Sequence, residues 1–161
     1  MHENRILINK LKNFENINSN FLIITLMLFG SILLAISAKV QVPFWPVPMT
    51  MQTFVIFLIG MTYSVRLSFA TVAFYLFQGA IGLPVFAAGG GVAYLVGPTA
   101  GYLYGMLFAS IVISYLANLG FSKTYFKATV SLLIGSAIIF SFGIIYLGYI
   151  IGFEKAVAAG L

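Results

Sequence analysis

Side chains able to do covalent or acid–base chemistry are almost missing from this chain. It contains no aspartate and no cysteine, its only histidine is His2, and its only carboxylates are Glu3, Glu15 and Glu154. No pair among them could supply general acid–base catalysis or hold a metal within a membrane. A serine nucleophile would find no histidine partner. Gly89–Gly91 are not followed by the Lys-Ser/Thr pair of a phosphate-binding loop. An enzyme is therefore disfavoured, and neither cofactor nor metal is expected.

What remains suits binding. The stretch "GLPVFAAGGGVAYLVGPTAGY", from Gly82 to Tyr102, carries six glycines, two prolines and no charge. Gly89, Gly90 and Gly91 permit backbone conformations closed to other residues and let a ligand come close to the main chain. Phe86, Tyr94 and Tyr102 offer flat apolar surface, with a hydroxyl on each tyrosine. Gln52 and Gln78 are neutral amides at the ends of apolar stretches, with donors and acceptors. Tyrosine and glutamine also collect at the water interface of membranes, so each residue alone has an ordinary explanation. Along the first apolar run, Ser31, Ala35 and Ala38 share a small-residue face with Gly30 and Ser37 beside it. Such faces let helices pack closely in lipid, within one chain or between chains.

The elements that must position these groups are membrane helices. The chain has 161 residues, of which 61% are hydrophobic and 7% charged, and no charged residue or histidine occurs from Leu67 to Ser122. Soluble domains carry about 25% charged residues, and about 20 apolar residues span a bilayer. The pattern predicts an all-α integral membrane protein, a bundle of five transmembrane helices plus the start of a sixth. The helices are expected over residues 21–38, 50–64, 67–78, 99–116 and 128–152. The basic start and first apolar run could suggest a signal peptide, but the run is long and more membrane follows. Residues 1–20 read as a polar cytoplasmic extension and residues 21–161 as a transmembrane substrate-binding domain.

Lys and Arg set the orientation. With the N-terminus inside, the inner loops hold Arg5, Lys10, Lys12, Arg66, Lys123 and Lys127, and the outer loops hold Lys39 and Lys155. Six against two fits the positive-inside rule. It also places the two Gly/Pro-rich stretches, residues 39–50 and 79–100, together on the outer face. The net charge of +5 then serves topology rather than nucleic acid. The third run is short, since 12 residues make roughly 18 Å of helix against about 30 Å of hydrocarbon. Either the helix continues through Gly79 or irregular chain dips into the membrane, where only protein or a cavity can cover it. A channel lined by that segment is one reading, and a binding site is another.

Three blocks, "VPFWPVPMTMQT" (42–53), "GAIGLPVFAAGGG" (79–91) and "LVGPTAGYLYG" (95–105), resemble the BioY family in order and spacing. BioY proteins are biotin-binding S components of energy-coupling-factor (ECF) transporters. The resemblance covers residues 21–161 and implies a six-helix bundle in the bacterial plasma membrane. It implies biotin as ligand, with Gln52, Phe86, Gly89, Gly90, Gly91, Tyr94, Thr99 and Tyr102 as candidate contacts. Its partners would be an ECF transmembrane coupling protein and two cytoplasmic ATPases, the S component having no ATPase activity itself. Ser31, Ala35 and Ala38 would then meet the coupling protein. An S component for another small vitamin is the nearest alternative. Family members continue into a sixth helix opened by a Pro-Gly-Asp type turn and a lysine. This sequence stops at Leu161, so a C-terminally incomplete chain is expected.

Overall fold

Apolar runs without proline fold as helices, because in hydrocarbon each peptide group must find its partner within its own segment. The computed structural model describes residues 19–43 and 47–160, and they are mostly helical. His2, Glu3, Arg5, Lys10, Lys12, Glu15 and Phe44–Pro46 lie outside the described residues.

Helix α1 runs Ser19–Lys39 and ends on a cation that suits the negative end of a helix. The chain beyond it contains Pro43 and Pro48, which lack the N–H a helix needs. Two short strands form there instead, β1 (Gln41–Val42) and β2 (Met49–Thr50). They pair antiparallel, Gln41 with Thr50 and Val42 with Met49. The all-α expectation is amended by this hairpin, and it is why α2 starts at Gln52 instead of Thr50.

Helices α2 (Gln52–Thr62) and α3 (Val65–Ala80) meet at a corner. Ser64 has extended backbone and caps α3 by accepting from the Leu67 N–H. The Tyr63 hydroxyl donates to the Leu26 carbonyl at 2.9 Å and pins the corner to α1. After the Gly/Pro stretch and a single turn, α4 (Val92–Leu95), come α5 (Ala100–Asn118) and a short 3-10 helix (Phe121–Lys123). The chain returns as α6 (Tyr125–Ile151) and turns at Gly152 into α7 (Phe153–Gly160), the predicted beginning of a further helix.

Among the described residues, three helices are long and apolar enough to cross a membrane: Asn20–Lys39, Ala100–Asn118 and Tyr125–Ile151. The expected five are not reached on that criterion. The corner at Tyr63 and Ser64 limits α2 to 11 residues, about 16 Å, and α3 to 16 residues, about 24 Å. Helix α3 does continue through Gly79, which settles the choice left open by its short apolar run.

The core is built from Leu34, Ile56, Val72, Tyr75, Leu103, Ile113 and Ile139, contributed by α1, α2, α3, α5 and α6. Large apolar side chains such as Phe29, Ile32 and Ile36 on α1 and Phe142 and Ile145 on α6 remain exposed. Outward apolar surface of this extent marks contact with lipid.

The most extensive pairing is α5 against α6. A Cβ at Gly101 would stand 2.5 Å from the Phe142 carbonyl oxygen, and one at Gly105 2.9 Å from Ile139 Cα. These glycines are four apart, the spacing that brings two helix backbones together in lipid. Backbone atoms cannot swing aside as a side-chain tip can. Gly101→Leu should therefore lower stability by about 1–3 kcal/mol. Heat or SDS titration of the purified chain in detergent checks this, and an unchanged midpoint would contradict the close approach.

Candidate functional site

The Gly/Pro stretch between α3 and α5 folds back onto the end of α3. Phe86 and Gly89 exchange backbone hydrogen bonds of 2.9 and 3.3 Å, forming a tight turn through Ala87 and Ala88. Gly89 and Gly91 have φ of 140° and 103°, a region where a side chain would strain the backbone. The Gly91 N–H donates to the Gly79 carbonyl at 2.7 Å, and the Gly82 N–H donates to the same oxygen at 3.1 Å. Gly90 lies against the Leu83 carbonyl with no room for a Cβ, whereas the Cβ positions of Gly89 and Gly91 face open space. The run of three glycines is thus required by the turn itself. Within that run, only Gly89 and Gly91 border open space.

Phe86 is the pivot of the loop. Its side chain is fully buried, and its ring fills the place where any residue larger than glycine at position 79 would put its Cβ. Tyr75 meets it edge-on, with centroids 5.5 Å apart at 85°, and Tyr94 stacks on it at 4.9 Å and 22°. Such pairs add about 0.5–1.5 kcal/mol to the burial of the rings.

Beneath this cluster runs a chain of polar contacts. Thr50 Oγ1 donates to Gln52 Oε1 at 3.0 Å, Gln52 Nε2 donates to the Tyr75 hydroxyl at 2.7 Å, and that hydroxyl donates to the Val85 carbonyl at 3.0 Å. Gln52 is 3% exposed, so it is not at the water interface. Both ends of its amide are engaged, which makes it a support for the loop.

Four further side chains hold the loop from other elements. Lys39 Nζ donates to the Phe86 carbonyl at 2.7 Å, and Gln41 Nε2 reaches the Ala87 carbonyl at 3.5 Å. The Tyr104 hydroxyl donates to the Leu95 carbonyl at 3.0 Å and that of Tyr146 to the Val96 carbonyl at 3.1 Å. Each carbonyl would otherwise face a poorly solvating surrounding.

The structure therefore brings Gln52, Phe86, Gly89, Gly90, Gly91 and Tyr94 into one assembly. Thr99 stands just before α5, where its carbonyl accepts from the Tyr102 and Leu103 N–H groups. Tyr102 is buried between α5 and α6, edge-on to Phe140 and against Gly143. Gln78 is half-buried. Ser31 and Ala38 are fully buried within the chain itself, and Ala35 is half-buried. The Ser31 hydroxyl is spent on the Leu28 carbonyl, and a Cβ at Gly30 would stand 2.6 Å from Thr71 Cγ2. That face packs internally against α3.

Two residues central to the loop are not among the candidate contacts read from the sequence. Tyr75 lies inside an apolar helix, and its signal was a hydroxyl that would need a partner in hydrocarbon. The sequence puts Lys39 on the outer face and leaves it open between a partner for a carboxylate and a side chain that reaches for water.

Residues 10–161 match the family model described as BioY family. The chain belongs to the BioY family. The Rickettsia prowazekii protein named Probable biotin transporter BioY is 34% identical over 154 residues, spanning 95% of this chain and 79% of that protein. The biotin transporter BioY of Thermotoga maritima is 38% identical over 130 residues, 80% of this chain and 76% of its own length. A crystal structure of the S-component for biotin from an ECF-type ABC transporter shares the fold. Its TM-score is 0.79 at 24% identity, over 91% of this chain and 82% of that one.

In this BioY chain, the block at 42–53 supplies the hairpin and Gln52, and the block at 79–91 supplies the loop that they hold. The block at 95–105 supplies Tyr104 and the start of α5. Tyr75→Phe should cost about 1–3 kcal/mol by leaving the Gln52 amide and Val85 carbonyl without a partner. Hydrogen–deuterium exchange at residues 81–91 should rise with it. Unchanged exchange there would show that the loop does not depend on this hydroxyl.

Proposed function

We propose that this chain is the substrate-binding subunit of an ECF-type transporter and captures biotin on the outer face of a bacterial plasma membrane. The observation that carries the reading is the aromatic and glycine assembly around Phe86, in a chain of the BioY family. Biotin needs an apolar slot for its fused rings, partners for its ureido group and a partner for its carboxylate. Tyr94, stacked on the buried Phe86, supplies ring surface at the slot. Open backbone at Gly89 and Gly91 supplies close approach, and Gln52 acts by holding the loop. Thr99 and Tyr102 complete the wall where α5 begins.

In this proposal the N-terminus is cytoplasmic, as the distribution of Lys and Arg favours. Helices α2 and α3 cross together with the three longer ones, and α7 begins a sixth. A transmembrane coupling protein and two cytoplasmic ATPases supply the energy, because this chain carries no phosphate-binding loop of its own. The open alternatives of the sequence, another vitamin or a passive channel, are what the experiment separates.

A biotin-auxotrophic host expressing the gene with the partner subunits should take up radiolabelled biotin well above the empty vector, and unlabelled biotin should compete better than other vitamins. Uptake equal to the vector would sink the proposal, and uptake independent of the ATPases would favour a channel. Binding to the purified chain tests the slot. Tyr94→Leu should weaken biotin binding about three- to tenfold, the loss of one aromatic pair. Equal affinity would remove Tyr94 from the site.

A further inference from the structure

A lysine in the last turn of a helix ordinarily serves that helix, by facing its free carbonyls or by reaching water. Lys39 does neither. Its ammonium crosses to a segment 47 residues away and donates to the Phe86 carbonyl at 2.7 Å. That carbonyl also accepts from the Gly89 N–H, so both of its lone pairs are in use. The ammonium has three donors, and this neutral oxygen takes one of them.

The place where the ammonium is held matters as much as the bond. Phe86 stacks with Tyr94 and meets Tyr75, so the ammonium is seated on the backbone of a packed aromatic cluster. A cation beside an apolar wall attracts an anion more strongly than one in open water, because less solvent screens it. Gln41, two residues on, reaches the adjoining Ala87 carbonyl, so the same turn is gripped twice from the end of α1. The grip fixes the position of the charge relative to the rings.

We propose that Lys39, seated on the Phe86 carbonyl, binds the carboxylate of the substrate and sets the preference for acidic over neutral ligands. The inference rests on the biotin reading above, whose ligand is a carboxylic acid with an apolar ring system. Rings lie against Tyr94, which stacks on the buried Phe86, and the carboxylate meets the remaining ammonium donors at the rim.

The test compares biotin with its neutral carboxamide, both competing against radiolabelled biotin on the full chain in detergent. The unmodified chain should prefer biotin by about tenfold or more, as expected for a hydrogen bond to a charged group. Lys39→Gln keeps a donor for the Phe86 carbonyl and removes the charge. It should weaken biotin by about the same factor, leave the carboxamide unchanged and erase the preference. Lys39→Arg should retain most of it. If Lys39→Gln weakens both ligands equally, Lys39 is only a loop tether and the proposal fails. If the preference survives Lys39→Gln, the carboxylate is held elsewhere and the proposal also fails. If the unmodified chain binds neither ligand, the biotin reading itself falls and takes this inference with it.

Discussion

A peptide carbonyl or N–H left bare near hydrocarbon costs several kcal/mol, and the rest of this structure is arranged around that cost. A segment rich in glycine and proline cannot satisfy its own backbone as a helix does. Here the donors come from outside the segment. Tyr75 serves Val85, Lys39 serves Phe86, Gln41 serves Ala87, Tyr104 serves Leu95 and Tyr146 serves Val96. Side chains of α1, β1, α3, α5 and α6 thus converge on one loop.

The same constraint explains why single glycines carry so much weight. Gly79 makes room for the Phe86 ring, and its carbonyl accepts from two glycine N–H groups of the loop. Gly101 and Gly105 let α5 and α6 touch backbone to backbone, which sets where Tyr104 and Tyr146 stand. Removal of water adds little to helix association inside lipid, so close packing must supply the stability. Glycine is what permits that packing. The loop and the helix seam are therefore one mechanical system.

The small-residue face of α1 belongs to this system too. Ser31 and Ala38 are buried against the chain's own helices, and the exposed side of α1 carries Phe29, Ile32 and Ile36. Close approach of α1 to α3 carries the end of α1, and with it Lys39 and Gln41, to the loop. Of the two roles open to such a face, packing within the chain is the one that Ser31 and Ala38 serve here.

Much of this was legible without coordinates. Hydrophobic runs, prolines and the spread of Lys and Arg marked the membrane class and the long helices, because bilayer thickness and the missing proline N–H act locally. The glycine run pointed to backbone conformations closed to other residues for the same reason, since positive φ is a property of one residue. The length of α3 and the shortness of α2 were less visible, because their ends depend on a corner pinned to α1 by Tyr63. The partnership of Gln52 with Tyr75 spans 23 residues and that of Lys39 with Phe86 spans 47, and no local pattern encodes either. By itself the sequence determined that these polar groups would need partners in an apolar surrounding. Only the tertiary structure decided which partners, because hydrogen bonding requires contact within about 3 Å and only packed helices bring such distant residues that close.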